Sequence, residues 1–131
     1  MPELRHDPIQ RRWVIISTER ARRPSDFVVE HDTYGQSKCP FCEGSESSTP
    51  PEIQAFRPGT LPNTPGWKVR VVANKFPALR IEGELERTAM GQYDRMNGIG
   101  AHEVIIENPA HDKDIGDHSI EDLTEILKMY R

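Results

Sequence analysis

Residues 67–79 read WKVRVVANKFPAL, and the first half of that run decides the fold class. From Lys68 to Val72 charged and apolar residues alternate with the period of a half-buried strand, and Pro77 closes the segment that follows. Working outward, residues 13–17 (WVIIS) are short, β-branched and apolar and read as a buried strand, while residues 103–107 (EVIIE) read as a third clear strand. Residues 80–82 are a candidate short strand. Residues 83–100 are polar and interrupted by Gly83, Gly91, Gly98 and Gly100, which predicts an exposed loop or a hairpin. Residues 35–65 are dense in Pro, Gly, Ser and Thr with no sustained period, so a loop region is expected there rather than a helix or a ladder.

After a turn at Asn108 and Pro109, Ser119 with Asp122 three residues on has the form of a helix N-cap and its partner. Ile120, Leu123, Ile126, Leu127 and Tyr130 then fall on one stripe of a helix. That pattern is still running at Arg131, so the natural chain is expected to continue.

The 131 residues are the size of one ordinary domain, with 35% hydrophobic and 29% charged residues and a mean hydropathy of -0.69. That is polar for a globular domain but short of a disordered composition, so some of the chain should lie in long loops. A formal net charge of -4 argues against a general nucleic-acid binder, which needs surplus Lys and Arg to hold a phosphate backbone. Arg5, Arg11, Arg12, Arg20, Arg22 and Arg23 nonetheless crowd the N-terminal part, which suits a small phosphorylated ligand. No stretch approaches the roughly 20 apolar residues that span a bilayer, and the opening MPELRHDP lacks a secretory apolar core, so a cytoplasmic protein with no membrane partner is expected. Cytoplasmic thiols stay reduced, which makes a disulfide between the two cysteines a poor reading.

Those cysteines form Cys39-Pro40-Phe41-Cys42, a C-x-x-C whose tight turn lets two thiolates reach one tetrahedral zinc ion at about 2.3 Å each. A redox pair is the competing reading, but it requires a helix starting at the motif, and the Gly- and Ser-rich residues after Cys42 provide none. Further zinc ligands have to be histidines, and spacing alone does not choose among His6, His31, His102, His111 and His118. Arg20, Arg22 and Arg23 follow a strand and could grip a phosphate in bidentate fashion, or could form a solvated charged turn. In Asn74-Lys75-Phe76-Pro77, directly after a strand, an amide and an aromatic ring could flank a base or ribose, or Asn74 could sit in a left-handed turn.

Four motifs in order carry a resemblance: residues 4–27 (LRHDPIQRRWVIISTERARRPSDF), residues 39–46 (CPFCEGSE) with 49–53 (TPPEI), residues 67–79, and residues 100–111 (GAHEVIIENPAH). Together they resemble the galactose-1-phosphate uridylyltransferase family of the histidine-triad superfamily. The resemblance implies an α+β fold with an antiparallel, half-barrel sheet and a zinc-clipped loop. It implies zinc held by Cys39, Cys42 and His111, selecting His111 over His102, with a further histidine later in the chain. It assigns nucleotide or phosphate contacts to Arg20 and Arg23, and places Phe41, Val72, Asn74, Phe76 and Val104 around a uridine nucleotide.

The implied reaction is ping-pong uridylyl transfer from UDP-glucose to a hexose 1-phosphate through a histidine of a His-Pro-His motif. This sequence has no such motif, so residues 1–131 read as the N-terminal part of a nucleotidyltransferase domain, ending before the catalytic strand and inactive alone. A homodimer is implied for the full-length protein. Close relatives transfer adenylyl groups, as ADP-glucose phosphorylases do, and a non-catalytic zinc-stabilised binding module is the rival from another class. Inside the covered region, Glu43-Gly44-Ser45-Glu46 departs from the Pro-Gly-Asn-Glu that the family often carries after its second cysteine.

Overall fold

The computed structural model describes residues 1–17 and 39–131. Among them are seven strands and one α-helix, in two compact units that are described separately.

The first unit contains residues 1–17 and Phe76–His102 and is built on an antiparallel four-stranded sheet. Strands β1 (Glu3–Asp7) and β2 (Arg12–Ile16) form a hairpin, with Glu3 opposite Ile16 and Asp7 opposite Arg12. The Asp7 carboxylate closes its turn by accepting from the Ile9 and Gln10 N–H groups at 2.9 and 3.1 Å, and these bonds to the charged form lower its pKa. Strand β6 (Tyr93–Asn97) pairs with β1 and with β5 (Thr88–Met90), giving the order β2-β1-β6-β5. The glycine-broken stretch is therefore a hairpin. Gly98 donates to Pro2 O at 2.9 Å, and a Cβ on Gly98 would lie 3.0 Å from that backbone, so the close approach favours glycine.

Two expectations for this unit fail. The WVIIS strand forms but is not buried: among the described residues β2 pairs only with β1, and Val14 and Ile15 are 38% and 46% exposed. Residues 80–82 make no strand, only an isolated bridge between Arg80 and Ile99.

The second unit contains residues 39–75 and Glu103–Arg131. Its antiparallel sheet runs β3 (Glu52–Phe56), β4 (Val69–Ala73), β7 (Glu103–Ile106), with β4 central. Trp67, Val72 and Ile106 form the core, with Ala55 and Val104 packed against it. Strand β3 lies inside the stretch expected to be loop. Strand β4 is fully buried from Val69 to Val72 rather than half-buried, because Arg70, at 1% exposure, also points inward. Its guanidinium is satisfied by Glu52 at 3.1 Å, Thr49 Oγ1 at 2.8 Å and Asn63 Oδ1 at 3.4 Å.

Helix α1 (Ile120–Met129) packs on β4 through the fully buried Ile126 and the half-buried Leu123. The predicted stripe is only partly used: Ile120 and Leu127 are 83% and 62% exposed, and Tyr130 turns its hydroxyl to donate to Glu107. The cap forms as expected, with Ser119 Oγ accepting from Asp122 N at 3.1 Å. Ser119→Ala is expected to cost about 1 kcal/mol, read as a lower urea midpoint with unchanged slope. A loss below about 0.3 kcal/mol would mean that water replaces the cap without penalty. No helix among the described residues is long and apolar enough to cross a membrane.

Candidate metal centre

Residues 39–42 form a turn in which Cys42 N donates to Cys39 O at 3.3 Å, bringing two free thiols to one side of the chain. The partner loop follows β7. There Asn108 fixes the backbone at both ends, accepting from Ala110 N at 2.8 Å and donating to Lys113 O at 3.1 Å, so the intervening His111 is held out from the loop. The two segments meet directly: Glu43 N donates to Pro109 O at 3.2 Å, and Cys42 Sγ lies 3.4 Å from His111 Nδ1.

The ligand atoms of Cys39, Cys42 and His111 all lie within 4.8 Å of one another, which a tetrahedral ion with bonds of about 2.0–2.3 Å can gather with small side-chain movements. Desolvation, a hydrogen bond with Cys39, the Cys39 charge and nearby Asp112 together push the Cys42 pKa up. Two sulfurs and an imidazole are the donor set that zinc takes, and the ion would supply positive charge to the thiolates. No helix begins at the motif, as a redox pair requires; a bend and a single 3-10 turn at Glu46–Ser48 follow it.

Two carboxylates that the sequence reading passed over hold this turn. Glu43 Oε1 accepts from Gly66 N at 2.7 Å. Glu46, only 5% exposed, accepts at Oε1 from Gly44 N at 3.1 Å and from the Trp67 indole at 2.8 Å. Burial raises the Glu46 pKa, but the Trp67 bond, backbone N–H bonds at residues 46 and 44 and the Arg70 charge outweigh it, leaving the pKa lowered. No spacing rule flags such residues; the only signal was two acids in a Gly/Ser tract beside a cysteine.

The other histidines lie elsewhere. His6 packs against Trp13 with ring centroids 5.1 Å apart and planes tilted by 55°, and His102 Nδ1 accepts from Ala78 N at 2.8 Å. His118 lines a cleft of about 100 Å³ with Trp67, Lys113, Asp122 and Glu125, its ring nitrogens buried and without a hydrogen-bond partner among the described residues. His31, Arg20, Arg22 and Arg23 lie outside the described residues. Of the residues assigned to a nucleotide, Val72 and Val104 are partners across β4 and β7 and pack into the core, Asn74 is half-buried just after β4, and Phe41 and Phe76 are exposed.

No family model matches the chain. An ADP-glucose phosphorylase of Arabidopsis thaliana is 38% identical over 99% of this chain, which spans only 37% of that protein's length. The crystal structure of an ADP-glucose phosphorylase from Arabidopsis thaliana with bound ADP-glucose matches at 38% identity and a TM-score of 0.55, over 99% of this chain and 36% of its own. A GalT-like protein of Arabidopsis thaliana matches at 33% identity and a TM-score of 0.52, over 98% of this chain and 34% of its own. A uridylyltransferase structure has a TM-score of 0.61 over 97% of this chain and 32% of its own; at 24% identity it speaks for the fold alone.

Proposed function

Since the chain belongs to the galactose-1-phosphate uridylyltransferase family over the third of its relatives' length that it spans, we propose that it is the metal-clipped portion of a nucleotidyltransferase that handles an ADP-sugar. The 38% identity to an ADP-glucose phosphorylase carries this reading. It favours the adenylyl alternative over uridylyl transfer between hexose 1-phosphates, for which the likeness is one of fold. In the chemistry that name implies, phosphate replaces the sugar phosphate on the α-phosphorus, releasing glucose 1-phosphate and forming ADP.

Within this reading Cys39, Cys42 and His111 hold zinc, whose role is to tie the loop after residue 38 to the β7–α1 connection. Arg20 and Arg23 contact phosphates, and Phe41, Asn74 and Phe76 approach the nucleotide. Val72 and Val104 act from the core, shaping the strand ends. A nucleophilic histidine, a further zinc ligand and the strands that complete a half-barrel belong to the rest of a cytoplasmic, homodimeric enzyme.

The full-length protein, given phosphate, is expected to release glucose 1-phosphate from ADP-glucose at least about tenfold faster, in kcat/KM, than from UDP-glucose, a difference of about 1.4 kcal/mol. The reverse preference would restore the uridylyl reading. Turnover of neither, by protein with metal bound, would leave the binding-module reading.

A further inference from the structure

The clip joins two segments nearly seventy positions apart, since Cys42 and His111 are separated by 69 residues. Their ligand atoms lie within 4.8 Å of one another, and hydrogen bonds within the protein tie the two segments together beside them. The tie nearest the thiols is the Glu43 N–H to Pro109 O bond, which links the residue after Cys42 to a residue two before His111.

That tie is anchored from the other side. The Glu43 carboxylate holds Gly66 N, and Gly66 sits at φ 93, where a side chain would be strained and would meet Thr60 Cγ2 at 2.7 Å. One residue on, the Trp67 indole, part of the core, donates to Glu46, whose same oxygen takes Gly44 N. Glu43 and Glu46 thus both connect the cysteine turn to residues 66–67, which lead into the central strand. Neither contributes to the cluster of ligand atoms.

We infer that Glu43 and Glu46 are positioning residues that hold the two halves of the clip at binding distance before an ion arrives. This rests on the reading of Cys39, Cys42 and His111 as a metal site. Preorganisation lowers the ordering cost paid on binding, so loss of either carboxylate weakens metal affinity without changing the ligands.

The test is a cobalt(II) titration of the reduced full-length protein, followed by the thiolate-to-cobalt charge-transfer band, which reports cysteine ligation alone. Glu46→Ala is expected to weaken cobalt binding about tenfold while leaving the band's shape unchanged. Glu46→Gln, whose amide oxygen still accepts both N–H groups, is expected to stay within about threefold of the native protein. If Glu46→Ala loses the native circular dichroism, Glu43→Ala, at an exposed carboxylate, is the deciding variant, with the same expected weakening. Native affinity in the folded alanine variant, alongside loss of the band in Cys42→Ser, overturns the positioning role and leaves the clip standing. Equal weakening by Glu46→Gln and Glu46→Ala also overturns it, since charge rather than geometry would be acting. No band in the native protein overturns the metal site itself.

Discussion

Replacing Glu52 with alanine is expected to destabilise the second unit by about 3–5 kcal/mol, the cost of leaving buried charges without their counter-ion. Glu52 Oε2 accepts from both Arg70 Nε at 3.1 Å and Arg57 NH2 at 2.5 Å. The three side chains are 7%, 1% and 9% exposed, so water does not screen the pairs as it would at a surface. Once the carboxylate is gone, the remaining hydrogen-bond acceptors among the described residues are neutral oxygens, those of Thr49 and Asn63 for Arg70 and those of Thr60, Leu61 and Thr64 for Arg57. Arg57 Nε already has no hydrogen-bond partner among the described residues. Trp67 fluorescence in a Trp13→Phe background would follow this unit's unfolding in urea, because Trp13 lies in the other sheet. A loss below about 1 kcal/mol would show that both guanidiniums reach water when freed, and that the cluster is less buried than its exposure suggests.

The same cluster explains why part of the fold was hidden from its sequence. Strand β3 puts Glu52 inward against Arg70 while Ile53 is 54% exposed, reversing the polarity that alternation reads. Its register against β4 also shifts between Glu52 and Gln54, which breaks the period of two. With Pro50 and Pro51 before it, nothing local marks the strand, and only pairing with a distant partner creates it. The alternation of KVRVV predicts a solvent-facing Arg70, whereas in β4 it is buried and satisfied by an ion pair with Glu52.

Where side chains follow ordinary partition, reading outward from residues 67–79 was enough. β7 and the Ser119 cap came from local pattern, and β2 was placed correctly but credited with burial that Val14 and Ile15 do not have. The cysteine pair was legible from its spacing. Choosing His111 needed the resemblance, because a turn of Asn108 rather than any sequence interval delivers it to Cys42. Glu43 stands where the family often carries proline, Glu46 coincides with the Glu of that pattern, and their partners are two glycine N–H groups and an indole, which no spacing rule encodes.

Cys42→Ser is expected to abolish zinc binding by the clip and remove about 4 kcal/mol of stability when free zinc stands about a thousandfold above its dissociation constant. A hydroxyl is a poor zinc ligand at neutral pH, and two remaining donors on separate loops do not hold the ion. The loss should therefore vanish in chelator, where native and variant chains unfold at nearly the same denaturant concentration. The pH dependence of native zinc binding follows from the same thiol. With its pKa raised by burial, Cys39 and Asp112, Cys42 holds its proton at neutral pH, and zinc must displace it. Affinity accordingly rises with pH until Cys42 has ionised, and falls as pH drops. Zinc content is read by metal analysis after gel filtration, together with unfolding midpoints with and without chelator. Equal zinc in the native and Cys42→Ser proteins, with a stability difference that chelator leaves intact, would place the ion elsewhere and reduce the convergence of Cys39, Cys42 and His111 to ordinary loop packing.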